Sequence, residues 1–345
     1  MKGRVIALDT LGGRRAAALM VDGRLEDVLI DPPGDDPRLP GAILRGVVDR
    51  PMKGLGGVFV QLPGGTGFLR AAAGLAAGAR VIVQVAGPAE PGKAPPVTQR
   101  VLFKGRLAIV TPGAPGLNVS RQIRDPEARA ALEAEAAAAM AGAPADFGLI
   151  VRSAAEAEAG LGDEAARLIA LARAVMADTE GGPELLLAAP DAHEAAWRDW
   201  ADPAPDAVAD RPGAFADLGV LDALDDLAAS RVVLAGGATM HVEPTRALTA
   251  VDVNTGGDPS PAAGLKANIA AARDLPRQLR LRGLGGQIVV DFAPMPKKDR
   301  GTLEQVLRAA FRAEGGETVL AGWTPLGLFE LQRKRDRLPL AGLLP

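Results

Sequence analysis

Seven short apolar runs, none longer than seven residues, fill the first 85 positions: 4–8, 16–21, 25–30, 42–48, 57–62, 67–70 and 80–85. Runs this short, separated by Gly-Gly-Arg-Arg, Asp-Gly and further glycines, read as β-strands in local pairings and not as helices. The first three predict a three-stranded antiparallel opening. The next four, broken at Gly54, Gly56, Gly57, Gly64 and Gly65, predict a small closed barrel, which removes the exposed edges of so small a sheet.

Downstream the period changes. Residues 86–96 are rich in Pro and Gly and read as a linker or exposed loop. A hairpin over 102–111 turns at Lys104-Gly105, and a helix over 125–141 starts from Asp125 as N-cap with Pro126 in its first turn. A buried strand at 147–152, a helix at 162–177, a strand at 184–188, a helix at 191–200 and an acidic loop at 201–211 follow. The last third alternates strands at 231–234, 238–243, 248–253 and 287–292 with helices at 261–282 and 299–314, an α/β layout. A chain of 345 residues is long enough for two or three compact units.

Composition excludes several chemistries. There is no cysteine and there are only two histidines, His193 and His241, so disulfides, thiol nucleophiles, thiolate metal sites and multi-histidine zinc centres are out. Both histidines read as structural. No uncharged apolar run approaches the roughly 18 residues of a membrane span, and the N-terminus lacks a signal-peptide pattern; a soluble, cytoplasmic protein is expected. The net charge of −3 conceals segregation: residues 1–124 carry 17 Lys/Arg against 9 Asp/Glu, 125–230 carry 6 against 22, and 266–345 carry 14 against 8. Arginine outnumbers lysine 31 to 8, which suits bidentate phosphate contacts and equally suits a GC-rich genome.

Chemistry gathers in the last third. Strand periodicity puts Asp252 and Asn254 on one face and Val251 and Val253 on the other. A second apolar run ends on Asp291, as expected if a neighbouring strand delivers a carboxylate to the same edge. Two carboxylates and an amide oxygen suit Mg²⁺, which takes hard oxygen ligands and keeps waters. Between the strands, Arg273, Arg277 and Arg280 fall at i, i+4 and i+7 on one helix face, a basic stripe fit for phosphates. Each feature has a bland competitor: a strand-end Asp commonly caps a turn, and an Arg stripe is commonly a solvated face. The combination favours phosphodiester chemistry.

These residues resemble the ribonuclease E/G family. The segments GGATMHVEPTRALTAVDVNTGG, KANIAAARDLPRQLRLRGLGGQIVVDF and LFELQRKRDR are similar to its catalytic region, in that order. Upstream, ILRGVVDRPMKGLGGVFVQLPGGTGFLR resembles its OB-type barrel. GKAPPVTQRVLFKGRLAIVTPGAPGLNVSRQI resembles its lysine-containing segment and Ser-Arg turn, and FGLIVRSA resembles its five-prime-phosphate sensor.

The resemblance implies an RNase H-like base (1–36 and 178–229) around an OB-type barrel (37–99), a sensor segment (100–177) and a DNase I-like catalytic subdomain (230–345). It implies a Mg²⁺-dependent endoribonuclease that cuts single-stranded RNA with a metal-activated water, favouring 5′-monophosphorylated ends. Asp252 and Asp291 would hold Mg²⁺, with Asn254 orienting one of them or contacting the scissile phosphate. Phe59 and Phe68 would contact bases, although barrel core is the competing reading. Lys93 and Arg121 would touch the backbone, and Arg152 with Ser153 would bind the 5′-phosphate. The family's cysteine zinc link and small domain have no counterpart before Pro345, so no structural zinc and a monomer or weak dimer are expected. The alternatives are an RNA-binding regulator with little catalysis and a phosphodiesterase acting on DNA or small nucleotides.

Overall fold

The computed structural model describes residues 2–49, 56–70, 74–90, 92–258, 260 and 262–345; Gly54 and Pro261, both named above, lie outside them. The chain forms two compact units, one with residues 7–32 and 209–345, the other with residues 4–6 and 33–208. Strands β1 (Arg4–Leu11), β2 (Arg14–Val21) and β3 (Arg24–Ile30) are joined by Gly12-Gly13 and Asp22-Gly23. All four of those residues have positive φ, the backbone that a two-residue hairpin turn demands.

In the second unit, β4 (Ile43–Val48), β5 (Gly57–Leu62), β6 (Gly65–Arg70), β7 (Arg80–Val85) and β8 (Pro96–Thr98) lie in the order β4-β5-β6-β8-β7, and β7 pairs back onto β4. The ring is a closed five-stranded barrel filled by Val58, Val60, Leu62, Val83 and Val85. A Cβ on Gly46 would stand 2.4 Å from Val60 Cγ1, so the packed interior requires glycine there. The fifth strand, β8, begins at the end of the stretch read as a linker. Three residues are too few for a period of two to register in the sequence.

A second sheet, in the order β11-β12-β10-β9, is built from β9 (Phe103–Lys104), β10 (Ala108–Pro112), β11 (Gly116–Val119) and β12 (Phe147–Val151). It packs under α1 (Pro126–Met140) and α2 (Leu161–Ala177), with Phe103, Leu149 and Leu161 in the core. Asp125 caps α1 by accepting from Glu127 N and Ala128 N. β13 (Glu184–Leu187) adds to β4, and α3 (Ala192–Asp199) opens with a reciprocal capping box between Asp191 and Glu194. The acidic 201–211 segment is not all loop, because β14 spans Ala207–Asp210.

After α4 (Ala214–Asp217) and α5 (Val220–Ala228), the first unit completes a six-stranded sheet. Its strands are β15 (Arg231–Val233), β16 (Thr239–Pro244), β17 (Thr249–Asn254), β18 (Gly286–Asp291), β19 (Thr318–Trp323) and β20 (Phe329–Arg333), in the order β15-β16-β17-β18-β20-β19. β17 and β18 are parallel and are connected through α6 (Ala263–Leu281), the long crossover a parallel pair needs. α7 (Arg300–Glu314) joins α6 on one face, over Val251, Val253, Ile288 and Val290. Phe329 and Leu331 are buried on β20, each contributing about 1.5–3 kcal/mol by burial.

Candidate functional site

The parallel register of β17 and β18 sets Asp252 beside Asp291. Alternation buries Val251, Val253 and Val290 under α6 and turns both carboxylates to the exposed face. Asn254, one step along the same face, donates from Nδ2 to Asp252 Oδ2 at 2.6 Å. That hydrogen bond fixes one oxygen of Asp252 and leaves the Asn254 carbonyl oxygen uncommitted. The structure thus brings the three residues together at one strand edge.

Two features that local sequence patterns do not reveal hold this edge. Asn268 on α6 is fully buried and bonds both backbone groups of Ala293, donating to its oxygen and accepting from its nitrogen at 2.9 Å each. A Cβ on Gly264 would lie 2.0 Å from Pro294 O, so the helix can approach this segment only through glycine. The chain leaving Asp291 is clamped to α6 within three residues. Phe292 itself packs against Trp323 and Phe329, with ring centroids 5.8 and 6.2 Å away. The one signal in the sequence is a lone Asn at an apolar position of α6, between Gly264, Ala267 and Ala271.

His241 on β16, read as structural, is the register partner of Asp252 on β17. Met240 and Val242 are buried, so His241 shares the outer face with the two carboxylates. Cross-strand neighbours of this kind stand about 4.5–5.5 Å apart at Cβ.

The arginine stripe divides. Arg277 donates from Nη1 to Leu25 O at 2.5 Å and from Nε to Asp274 Oδ1 at 2.9 Å. Arg280 bonds the carboxylate and carbonyl of Glu26 and lies 3.4 Å from Glu314 Oε1. These two arginines dock α6 on β3 and α7, a correction to the expectation that the whole stripe faces phosphate. Arg273 makes no ion pair among the described residues. Burial works to raise the Asp274 carboxyl, and the hydrogen bond and charge of Arg277 with the charge of Arg24 outweigh it, holding it below the ordinary carboxylate range.

In the other unit, Phe59 and Phe68 are register partners on β5 and β6 with ring centroids 5.4 Å apart. Val58, Val60 and Leu69 point into the barrel, so the rings are half-buried on its outer surface and are not core. Lys93 is exposed and pairs with Glu90 at 3.0 Å; Arg121 is exposed in a turn. Arg152 follows β12 and donates to Gly105 O at 2.6 Å and Arg198 O at 3.0 Å, with Asp199 at 3.4 Å. Ser153 opens the 3₁₀ turn that follows.

Adjacent carboxylates at a solvent-facing strand edge, with an amide oxygen alongside, are a donor set that fits a hard divalent cation completing its shell with water. Among the described residues, no group of three or more histidine, cysteine or acidic side chains could hold a metal ion. No described helix is long and apolar enough to cross a membrane.

The chain matches the model of the ribonuclease E/G family over residues 103–214 and 205–336. It is 29% identical over 354 residues to a ribonuclease E of Nostoc sp. (strain PCC 7120), covering 86% of this chain and 51% of that protein. It is 30% identical over 298 residues to a ribonuclease E of Synechocystis sp. (strain PCC 6803), covering 74% and 44%. A ribonuclease G of Salmonella typhimurium is 37% identical over 115 residues, 31% of this chain and 23% of that protein. The chain spans about half the length of the cyanobacterial relatives it matches.

Proposed function

The chain belongs to the ribonuclease E/G family, and we propose that it is an endoribonuclease that cuts single-stranded RNA at the edge formed by β17 and β18. The observation that carries this is the register pairing of Asp252 with Asp291, with Asn254 hydrogen-bonded to the first. Asp252 and Asp291 would hold a Mg²⁺ ion, which would lower the pKa of water and neutralise charge on a phosphodiester. Asn254 keeps Asp252 in a single orientation and offers its carbonyl oxygen to the same ion or to an ordered water. The clamp of Asn268 on Ala293 does the same for the chain carrying Asp291.

The outer barrel pair, Phe59 and Phe68, supplies apolar surface for bases, as OB-type barrels do for single strands. Arg152 and Ser153 take a 5′-monophosphate; Gly105, Arg198 and Asp199 engage only the two terminal nitrogens of Arg152, so donors of its five-N–H fork remain for a ligand. In this reading β1–β3 belong to an RNase H-like base and β15–β20 to a DNase I-like catalytic subdomain.

The test is incubation of purified protein with 5′-monophosphorylated and 5′-hydroxyl single-stranded RNA, with Mg²⁺ or with a chelator. Internal cuts that need Mg²⁺ and come faster with the monophosphate are expected. RNA that is bound and never cut would make the protein an RNA-binding regulator instead.

A further inference from the structure

Beside the cutting edge, on the α6 side of the sheet, lies an open groove of about 750 Å³. One wall is the turn Val233–Gly236 and the other is the face of α6 that carries Lys266, Ile269 and Arg273, with Arg24 of β3 at the rim. We propose that this groove carries the single-stranded RNA on from the cut, with its phosphates against Lys266, Arg273 and Arg24 and its sugars and bases against Val233 and Ile269. The inference rests on the reading of the chain as an endoribonuclease and adds a binding surface to it.

Continuity with the edge comes from the backbone. Thr239 is the register partner of Asn254, and a Cβ on Gly256 would stand 2.5 Å from Gly237 O. The glycine turn that walls the groove therefore touches the loop leaving Asn254. Lys266 lies 3.7 Å from Asp258 of that same loop. The Asp252 edge and the groove are thus linked through residues 256–258.

Charge decides the occupant. Lys266 and Arg24 are 68% and 60% exposed although each lies beside one acid, Asp258 and Asp274, and Arg273 has no ion-pair partner among the described residues, so the lining cations outnumber its one acid three to one. The one acid in the lining, Asp274, is neutralised: Arg24 at 2.5 Å, Arg277 at 2.9 Å and Gln278 at 3.0 Å occupy its oxygens. The floor is apolar, and Val233 is 66% exposed there. Cations on the rim over an apolar floor match a polyanion with apolar rings and repel nothing in it. From Lys266 to Arg273 is about 10 Å along the helix, roughly three nucleotides of a stacked strand.

The experiment measures binding of a fluorescent single-stranded RNA across a salt series, in an Asp252→Asn background that prevents cleavage. Removal of one phosphate-binding cation flattens the log–log slope by about 0.7 and weakens binding at 0.1 M salt by about fivefold. The double substitution Lys266→Ala with Arg273→Ala is expected to flatten the slope by about 1.4 and weaken binding about 25-fold. Lys266→Arg with Arg273→Ala should restore half of that change, and Arg308→Ala, an exposed arginine on α7, should leave the slope unaltered. Equal slopes for parent and double variant, with Kd within about twofold, would overturn the groove assignment while the chain with Asp252 intact still cleaves RNA. A protein that neither cleaves nor binds RNA overturns the functional reading and the groove with it.

Discussion

Replacing Arg280 by Met separates an arginine that holds the protein together from one that holds a substrate. The Arg280 side chain is 14% exposed and reaches three acids: Glu26 by hydrogen bond, Glu314 Oε1 at 3.4 Å and Asp27 Oδ1 at 3.9 Å. Glu314 keeps the bidentate pair with Arg333, at 2.6 and 2.9 Å, and Asp27 keeps its pair with Arg337, so neither is stranded. Only the half-exposed Glu26 loses this partner outright, along with the bond to its carbonyl. The loss is therefore smaller than the roughly 3–5 kcal/mol of an orphaned buried charge. One charge-assisted hydrogen bond and one neutral one sum to about 2–4.5 kcal/mol, and solvent screening at the half-exposed Glu26 puts the loss at the lower end, about 2–3 kcal/mol. Methionine keeps the stem's apolar packing, so the difference reports the guanidinium. Urea unfolding followed by circular dichroism measures the stability, and a salt series of RNA binding measures any bond to phosphate. A lower midpoint with an unchanged salt slope is expected. A variant as stable as the parent whose slope falls by about 0.7 would show that Arg280 faces RNA, and the docking role drawn from its ion pairs would be wrong.

Asp252→Asn and Asp291→Asn should each reduce Mg²⁺-dependent cleavage by at least about a hundredfold and leave RNA affinity within about threefold; undiminished turnover in either would remove that residue from the metal site. Phe68→Ala should weaken single-stranded RNA binding by about 5- to 150-fold, the range of one base stack, while gel-filtration behaviour stays that of the parent because the ring lies outside the barrel core. Burial acts to raise the Glu314 carboxyl, but its bonds and charge interactions with Arg333 and Arg280 prevail and hold it below its ordinary value. Its contribution to stability is therefore complete above the unfolded value of about 4.3 and is lost as pH falls through the lower folded value. Acid titration of Glu314→Gln should show a shallower fall in stability below about pH 4 than the parent, and parallel curves would refute the coupling.

The placement of Asp252 and Asn254 was legible because strand periodicity is local. ALTAVDVNT declares Asp252 and Asn254 on one face without reference to any other part of the chain, and the apolar run before Asp291 declares a buried strand. The barrel was legible in four strands of five. β8 was hidden because three residues carry no period and because its parallel partner, β6, lies well upstream, with Phe68 pairing Pro96. β19 and β20 were hidden for a similar reason: no strand reads from 318–333 by itself, and it is β18 that pairs with Phe329 and Leu331.

Sequence alone determined which residues could do chemistry, since side-chain type and a period of two fix what a strand presents. Hairpin turns were equally local, because Gly12-Gly13 and Asp22-Gly23 adopt positive φ whatever surrounds them. Tertiary structure decided everything that depends on what a face meets. Arg273, Arg277 and Arg280 share one helical stripe, yet Arg277 bonds the Leu25 carbonyl of β3, Arg280 pairs with acids of β3 and α7, and the third is left at the groove. His241 reads as a lone histidine in a strand, and only the register of β16 on β17 puts it across from Asp252. Asn268 reads as a polar interruption of an apolar helix face, and only the close pass of Ala293 makes it the clamp behind Asp291. In each case the physical cause is the same: a side chain's role follows from its partner, and partners on other elements, up to 254 residues away, leave no trace in local periodicity.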